Sequence, residues 1–353
     1  MSAPGELNTS ILLEELLEAV DGVQSVLILP HNDPDPDAIA SSVALRDLLA
    51  QKAGVEGHIA YKGIIGRAEN QAMVRYLNHP LQRLTGSNLR QGWPVALVDT
   101  QPGAGNNALS AHLAPTLLFD HHPLREETAS AAFADVRPGV GSTSTLLVEY
   151  LQAAGIEPSP PLATALFYGI KTDTLGLVRG ASPADVAAYF YLQPRIDVEA
   201  LVEIERAQVP ADYFGRLDAA LHAAQVYDHL IISYIGPMRR PDLAAEMADL
   251  LLRLQGMRWA ICMGMYKSEL ILAVRSQSRR IGAGQLVRAI VGDEGTAGGH
   301  GTMAGGHVPL RGQSPERLAD VLAQRALQQL GISESIASKP LLQAGPIPGQ
   351  PAT

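Results

Sequence analysis

Short apolar runs alternate with helical stretches along the first half of the chain, and each run ends in a polar cluster. The run Ser25-Val-Leu-Ile-Leu-Pro30 has the length of a fully buried strand. An amphipathic pattern precedes it, with Ser10 as the predicted helix N-cap, and a helical pattern follows over about 38–52. The runs Val95–Val98 and Thr116–Phe119 repeat this order. Strands that alternate with helices predict a mostly parallel sheet covered on both faces.

A second α/β pattern begins near Leu230, after a mainly helical stretch between 182 and 225. Strand patterns at 230–235, 259–265 and 270–275 are interleaved with helical ones at 241–254, 282–291 and 315–330. The predicted fold class is therefore two-domain α/β. Its predicted parts are an N-terminal parallel-sheet domain over 1–190, a helical connector over 191–228, a smaller mixed-sheet α/β domain over 229–332 and a disordered tail over 333–353.

Composition narrows the class of protein and of partner. The 353 residues are enough for two domains, and apolar residues at 46% with charged residues at 18% are typical of a globular protein. The formal net charge of −9 argues against binding long duplex nucleic acid, which needs a basic field. A small anionic substrate is still compatible with this charge if metal ions or a few basic side chains hold it.

Cysteine content and the length of apolar runs exclude further classes of protein. Cys262 is the only cysteine, so an intramolecular disulfide and a thiolate zinc cluster are both excluded. No stretch reaches the ~18 uninterrupted apolar residues of a membrane span. The first residues lack the basic start and apolar run of a signal peptide, so we expect a cytoplasmic location and no membrane partner.

Four polar clusters carry the candidate chemistry, and three of them follow predicted strands. Ligands bind at the carboxyl ends of parallel strands, so these clusters are expected to converge. Any one of them alone is more often a capped turn, because Asp, Asn and Pro favour turns. Four together would bring carboxylates close enough to repel, a cost that divalent cations remove. The clusters are His31 to Asp37, Asp99-Thr100, Asp120-His121-His122 and Lys171 to Gly176.

These motifs resemble those of the DHH phosphoesterase superfamily. The pattern HxxPDxDA at His31–Ala38, then Asp99-Thr100, Asp120-His121-His122 and Asp173-Thr174, match its four motifs in order. The segment Gly298–Gly306 is similar to the glycine-rich signature of the DHH-associated C-terminal domain. The resemblance is strongest to oligoribonucleases (nanoRNases) that also hydrolyse 3′-phosphoadenosine 5′-phosphate. It implies a DHH metal-binding catalytic domain, a DHH-associated substrate-binding domain and an active site in the cleft between them.

The resemblance also implies a ligand set for two divalent metal ions, with Mn²⁺ expected. One ion would be held by His31, Asp35 and Asp99. The other would be held by Asp37, Asp99, His121 and Asp173, so that Asp99 bridges the two. His122 is expected to face the substrate phosphate instead of a metal, which makes His122 and Asp99 the expected catalytic residues. The pair Gln101-Pro102, which follows the second motif, is typical of a subfamily. The detailed substrate preference of the wider family is therefore not carried over to this chain.

The second domain is expected to hold the substrate. The segment 295–306 contains more glycine than a regular helix or strand, and glycine richness alone predicts a flexible loop. Such loops also let backbone N–H groups close on a phosphate. The resemblance favours this role for Gly298 and Gly299, with His300 as the expected phosphate contact. Arg275, at the end of the strand upstream, is a further expected contact.

The predicted function is a two-metal phosphohydrolase that cleaves short oligonucleotides to mononucleotides, with 3′-phosphoadenosine 5′-phosphate as a further candidate substrate. The alternatives are a phosphodiesterase of linear or cyclic dinucleotides, an inorganic pyrophosphatase, which shares the metal motifs, and a non-enzymatic nucleotide sensor. A sensor would be expected to lack some metal ligands, and a pyrophosphatase to carry a basic Arg/Lys set in place of Gly298–Gly306. The oligomeric state is left open, with a homodimer among the candidates.

Overall fold

The structure is a computed structural model that describes residues 4–333 and 337–342, apart from 87, 89–90, 111 and 278–281, and apart from the side chains of 4–8 and 300. Contacts within the chain divide it into two units, residues 1–208 and 209–353. The boundaries expected at 190 and 228 stay predictions. The segment between them contributes helices to both units.

The first unit is built on a six-stranded parallel sheet, which confirms the predicted N-terminal fold. The strand order is β3-β2-β1-β4-β5-β6, so β2 and β4 flank the first strand, β1. Every neighbouring pair runs parallel. The strands are β1 (Ser25–Pro30), β2 (Glu56–Tyr61), β3 (Gln82–Arg83), β4 (Val95–Val98), β5 (Leu117–Asp120) and β6 (Phe133–Val136).

Seven helices of the first unit lie within the described residues. The first begins at Pro4, so Ser10 lies inside it and the predicted N-cap is wrong. Proline has no N–H that needs an acceptor, which suits it to the first helical turn. The helices are α1 (Pro4–Ala19), α2 (Pro36–Ala53), α3 (Ala68–Tyr76), α4 (Thr143–Ala153), α5 (Pro160–Asp173), α6 (Pro183–Leu192) and α7 (Val198–Glu205).

The two faces of this sheet are covered differently. Ile28 and Phe119 point to the face where α1, α2, α4 and α5 supply the apolar side chains. Leu29 and Leu97 point to the other face, where the described covering residues, such as Trp93, belong to connecting segments. Successive side chains of a strand alternate between faces, so an unbroken apolar run is required here.

The second unit contains a mixed seven-stranded sheet, as predicted for the C-terminal half. The order is β11-β12-β10-β9-β8-β7-β13, and only β8 and β9 pair in parallel. The strands are β7 (Gln225–Tyr227), β8 (Leu230–Pro237), β9 (Trp259–Tyr266), β10 (Glu269–Ser276), β11 (Thr296–His300), β12 (Met303–Pro309) and β13 (Lys339–Pro340).

Helices cover both faces of this second sheet. The described helices are α8 (Ala211–Ala223), α9 (Leu243–Leu251), α10 (Ala283–Val291) and α11 (Pro315–Gln329). The strand residues Leu270 and Leu272 pack with α10 and α11. The alternate residues Ile271 and Ala273 pack with α8 and α9.

The glycine-rich segment is not the flexible loop that glycine content alone predicts. It forms the hairpin β11–β12, in which Gly298 pairs with Gly305 and Ala297 with Gly306. The reason is close packing against α10. A Cβ atom at Gly284 of α10 would lie 2.0 Å from the backbone oxygen of Gly299. Glycine is therefore required where the helix and the hairpin meet.

Part of the predicted disordered tail is ordered. Lys339 and Pro340 form β13, which pairs with β7, while 334–336 and 343–353 lie outside the described residues. Over the part of the chain that the structure describes, none of the helices combines the length and apolarity needed to span a bilayer.

Gly169, in the middle of α5, allows this helix to approach the N-terminal end of α2. A Cβ atom at Gly169 would lie 2.6 Å from Ser144 Oγ and 3.1 Å from the Cα atom of Asp37. Both distances are shorter than ordinary contacts, and the second one involves backbone. Close approach at this position therefore sets where Asp37 lies.

We expect Gly169→Ala to destabilise the first unit by about 1–3 kcal/mol, because the added methyl group overpacks this contact. The matched control is Gly215→Ala in α8, where a Cβ atom would meet nothing within 4 Å. The control should stabilise the protein by about 0.5–1 kcal/mol through helix propensity. Urea unfolding of both variants measures these changes. Equal stabilisation by the two substitutions would contradict the packing argument.

Candidate metal centre

Four segments deliver acidic and imidazole side chains to one edge of the parallel sheet. His31 follows β1 directly, Asp99 follows β4, and His121 follows β5. These three strands are neighbours in the sheet, so their carboxyl ends lie side by side. Asp173 is the last residue of α5. The expected convergence of the clusters is therefore seen in the structure.

The first predicted ligand set is close together. His31 Nε2 lies 3.6 Å from Asp35 Oδ1 and 3.5 Å from Asp99 Oδ2. The potential ligand atoms of the three residues all lie within 4.8 Å of one another. Asp35 also caps α2, since its Oδ1 accepts the N–H of Ala38 at 3.0 Å. Capping and the stiff Pro36 at the first helical position hold this carboxylate in place.

The second predicted set lies beside the first. Potential ligand atoms of Asp37, His121 and Asp173 also lie within 4.8 Å of one another. His121 Nε2 is 3.3 Å from Asp173 Oδ2 and 3.5 Å from Asp99 Oδ1. Asp99 therefore reaches the first set through Oδ2 and the second through Oδ1. This is the arrangement that a bridging carboxylate requires, and the individual ligand roles stay predictions.

The donor set fits divalent cations. His121 Nε2 is buried and has no hydrogen-bond partner among the described residues, although two carboxylates lie near it. The other ring nitrogen, Nδ1, lies 3.3 Å from the carbonyl oxygen of Val140, and His31 Nδ1 lies 2.8 Å from that of Asn32. Once the ring is neutral, a carbonyl at Nδ1 favours the tautomer with Nε2 unprotonated, the usual form of a metal-ligating histidine.

The N-terminus of α4 binds one of these carboxylates. Asp37 is fully buried, and its two oxygens accept the backbone N–H groups of Thr143 at 2.7 Å and Ser144 at 2.8 Å. The first N–H groups of a helix have no intrahelical partner and favour an anion. Ser142 is the N-cap of the same helix. The helix start thus carries both a cap and a bound anion, and the anion is the protein's own aspartate.

The sequence predicts that Gly141-Ser-Thr-Ser144 opens a helix and either binds an anion through its N-terminus or is simply capped, but it does not single out the side chain of Thr143. Its hydroxyl donates to Asp99 Oδ1 at 2.8 Å, and its backbone N–H donates to Asp37. One residue therefore contacts a carboxylate of each predicted set. The helix start is a signal in the sequence, but ordinary helix starts share it.

Asp99 has a left-handed backbone conformation, with φ of 59°. Residues other than glycine seldom adopt it, and Asp and Asn tolerate it best. The Asp99 N–H donates to the carbonyl of Phe119 on β5 at 2.8 Å, which keeps the residue tied to the sheet. Unfavourable backbone geometry at a site of converging side chains is typical of functional positions.

His122 is arranged differently from His121. Its Nδ1 lies 2.8 Å from Asp120 Oδ1, an oxygen that also accepts the backbone N–H groups of His121 and His122. Asp120 is itself buried. Because Nδ1–H is engaged by Asp120, any contact of His122 with a metal or substrate must be made through Nε2. Asp99, His121 and His122 also form a group whose potential ligand atoms lie within 4.8 Å of one another, so the expected role of His122 outside the ligand set stays a prediction.

Opposing charges raise the pKa values of the two candidate ligand histidines. Burial alone would lower the pKa of His31, but Asp35 and Asp99 outweigh it and raise the pKa to about 10. Burial would likewise lower the pKa of His121, and Asp173 with Asp99 raises it to about 11. In the metal-free protein both imidazoles therefore carry protons at neutral pH.

The pKa values of the carboxylates shift in opposite directions. Burial and the negative charges of Asp173 and Asp99 raise the pKa of Asp37 well above its usual range. Burial likewise raises the pKa of Asp173, to about 6. Burial would also raise the pKa of Asp35, but the hydrogen bond from His31 outweighs it and lowers the pKa to about 2. Excess negative charge is thus present at this edge, and bound cations would relieve it.

The predicted substrate contacts lie in the second unit. Gly298 and Gly299 are in β11, and the side chain of His300 lies outside the described part of the chain. Arg275 is only 8% exposed, and its guanidinium donates to Asp249 and to the carbonyl of Val274. A role for Arg275 in substrate binding stays a prediction, and it would require the arginine to leave this ion pair.

Comparison with known proteins gives a family match in the N-terminal half of the chain. Residues 25–170 match the family described as DHH family, N-terminal domain. An uncharacterized protein of Methanocaldococcus jannaschii is 36% identical over 287 residues, which cover 81% of this chain and 58% of that protein. A probable manganese-dependent inorganic pyrophosphatase of Staphylococcus epidermidis is 29% identical over 149 residues, or 42% of this chain and 47% of that one. The chain spans about half the length of these curated relatives.

The fold has a solved counterpart. An exopolyphosphatase-related protein from Bacteroides fragilis superposes with a TM-score of 0.72 at 14% sequence identity, covering 90% of this chain and 96% of that one. At this identity the likeness concerns the fold alone.

We expect Asp99→Asn to lower the affinity for Mn²⁺ by more than about 100-fold, since even partners outside the ligand set contribute roughly 10- to 100-fold. Asparagine tolerates the left-handed backbone, so stability should be retained. Asp99→Ala should lose the same affinity and also about 1–2 kcal/mol of stability, because alanine does not tolerate this conformation. Calorimetric titration and thermal unfolding measure the two effects. Parental affinity in Asp99→Asn would refute the bridging role.

Metal binding should become tighter as the pH rises. His31 and His121 hold protons in the metal-free protein, with pKa values of about 10 and about 11, and a ligand must be neutral imidazole. Binding should therefore release about one proton per ligand histidine near neutral pH. Calorimetry in two buffers with different ionisation enthalpies counts these protons. The same binding heat in both buffers would contradict the assignment.

Proposed function

We propose that this protein is a phosphohydrolase that uses two divalent metal ions, with Mn²⁺ preferred, because residues 25–170 match the family described as DHH family, N-terminal domain. Its proposed substrates are short oligonucleotides, which it cleaves to mononucleotides, and 3′-phosphoadenosine 5′-phosphate. The observation that carries the proposal is the position of Asp99, whose two oxygens reach the two ligand sets. The similar probable pyrophosphatases are manganese-dependent, which supports the choice of metal.

Each ligand set is proposed to hold one ion. A pair of divalent ions supplies a Lewis acid that polarises phosphoryl oxygens and lowers the pKa of an attacking water. The protein contributes preorganisation: the N-terminus of α4 and the Thr143 hydroxyl hold Asp37 and Asp99 before substrate arrives. Ligands that are already oriented do not have to be reorganised during the reaction, and this lowers the barrier.

His122 is proposed to bind an oxygen of the phosphoryl group through Nε2. Its ring is oriented by Asp120, which also favours the imidazolium form and raises the His122 pKa against the effect of burial. An imidazolium donates to phosphoryl oxygens, where negative charge is concentrated. In the second unit, Gly298, Gly299, His300 and Arg275 are proposed to hold the remainder of the substrate.

Inorganic pyrophosphatase is the second candidate. It is favoured by the probable pyrophosphatases that match this chain, at 29–31% identity over at most 43% of its length. Partial coverage leaves the rest of the chain without such a counterpart. The proposed oligonucleotide activity is supported by the glycine hairpin, because its backbone is compatible with close approach to a phosphate.

A substrate panel with Mn²⁺ tests the proposal. It compares a dinucleotide, a decanucleotide, a cyclic dinucleotide, pyrophosphate and 3′-phosphoadenosine 5′-phosphate, each with and without chelator. Highest kcat/KM on the dinucleotide supports the proposal. Pyrophosphate as the best substrate would establish the second candidate, and full activity in chelator would refute a metal-dependent reaction.

We expect kcat/KM to fall as a single strand grows from two to about ten nucleotides, because long strands need a basic groove with aromatic stacking platforms. This chain has a net charge of −9 and only 5% aromatic residues, and its longest runs of basic residues are the pairs Arg239-Arg240 and Arg279-Arg280. Initial rates on 5′-labelled strands of increasing length measure the trend. A rate that stays constant or rises with length would show that a long binding groove exists.

A further inference from the structure

The side chain of Gln101, two residues after Asp99, is buried and uses its full hydrogen-bonding capacity. It is 1% exposed. Its Nε2 donates to Asp120 Oδ2 at 2.6 Å and to the carbonyl of Pro123 at 3.1 Å. Its Oε1 accepts the backbone N–H of Arg125 at 2.9 Å and the hydroxyl of Thr128 at 2.6 Å. An amide with four bonds in fixed directions cannot rotate without breaking them.

Asp120 connects this amide to His122. It is 1% exposed, and its two oxygens have separate partners. Oδ2 accepts from Gln101, while Oδ1 accepts from His122 Nδ1 at 2.8 Å. Oδ1 also accepts the backbone N–H groups of His121 and His122, so Gln101 fixes the orientation of the carboxylate together with these two groups, and the carboxylate in turn orients the imidazole.

His122 also has contacts besides its hydrogen bond to Asp120. Its side chain is 30% exposed, and its ring lies against that of His121 at a centroid distance of 4.4 Å with a tilt of 55°. A tilted contact between two rings restricts rotation less than a short hydrogen bond to a buried carboxylate. The Asp120 carboxylate is thus one determinant of which way the ring faces.

We propose that Gln101 is a positioning residue for His122, acting through Asp120. The inference rests on the proposed function, in which His122 binds the phosphoryl group. Gln101 contacts neither metal nor substrate in this role. It holds Asp120 in the orientation that engages His122 Nδ1 and so presents Nε2 to the phosphoryl oxygens.

A double-mutant cycle tests the proposal. Gln101→Met keeps the length of the side chain and removes all four hydrogen bonds. It should lower kcat on the best panel substrate by about 10-fold or more, as expected for a bond to a charged group, with KM and Mn²⁺ affinity changed less than about 3-fold. In the His122→Ala background the same substitution should change kcat by less than about 2-fold, because the residue through which it acts is gone.

A merely structural role gives a different result. Gln101→Met would then lower activity by the same factor in both backgrounds, or would weaken Mn²⁺ binding, and either result overturns the proposal. Gln71→Met is the matched control, since the Gln71 amide donates to the carbonyls of Ile65 and Gly66 at 3.1 and 3.0 Å. The control should keep parental kcat.

A second variant tests the proposal in case Gln101→Met does not fold. Thr128→Val preserves shape and removes only the hydroxyl that donates to Gln101. It should lower kcat by about 3-fold, the size expected for one neutral hydrogen bond, and should have no effect in the His122→Ala background. An equal loss in the two backgrounds would count against the proposal.

An activity-independent measurement separates this proposal from the proposed function. The imidazole ¹³C–¹H signals of His122 are assigned by their absence in His122→Ala. They should shift or broaden in Gln101→Met and stay unchanged in Gln71→Met. If no panel substrate is hydrolysed, the proposed function fails while these signals still test positioning. His122 signals unchanged by Gln101→Met would overturn it.

Discussion

Electrostatic repulsion among carboxylates at one edge of the parallel sheet is the constraint on which the rest of the first unit depends. Asp37 and Asp99 are almost completely buried, and Asp35 and Asp173 lie within the same two ligand sets. The fold opposes this repulsion with positive groups placed around it: helix α4 directs its first N–H groups at Asp37, and His31 lies between Asp35 and Asp99. The helices around Asp37 are packed closely enough that Gly169 has no room for a side chain.

The same constraint links folding to metal binding. In the metal-free protein, protons on His31 and His121 balance part of the negative charge, and their raised pKa values report this. Cations of higher charge can replace those protons only where the imidazole Nε2 atoms and carboxylate oxygens converge. The left-handed backbone of Asp99 lets its side chain reach both sets, so an unfavourable local conformation is retained for a shared ligand.

The second unit illustrates a different requirement, close approach of backbone to backbone. Where α10 packs on the hairpin β11–β12, glycine is needed on both sides: a Cβ atom at Gly284 would lie 2.0 Å from the backbone oxygen of Gly299, and one at Gly306 would lie 2.8 Å from the side chain of Val291. Hydrogen-bonded strands restrict these glycines more than a loop would. The segment therefore presents backbone groups at defined positions, which is a property that a phosphate-binding surface needs. Arg275 is engaged by Asp249, so its proposed contact with substrate depends on exchange of an ion pair.

The sequence by itself determined strands β1, β4, β5, β8, β9 and β10, several helices and the convergence of the acidic clusters, whereas β2, β3, β6, β7 and β13 were not predicted from it. Apolar runs specify buried strands, and the ends of neighbouring parallel strands must meet, so His31, Asp99 and His121 could be grouped without coordinates. Only the tertiary structure decided which groups hold the clusters in place. Thr143 lies 106 residues after Asp37 in the chain, and no local pattern records their contact. Gln101 and Asp120 are likewise joined across two strands. Glycine content alone predicted a loop at 295–306, whereas in the structure this segment forms a paired hairpin that packs against α10. Local patterns encode backbone conformation, but contacts between distant segments depend on the register and packing that the whole fold imposes.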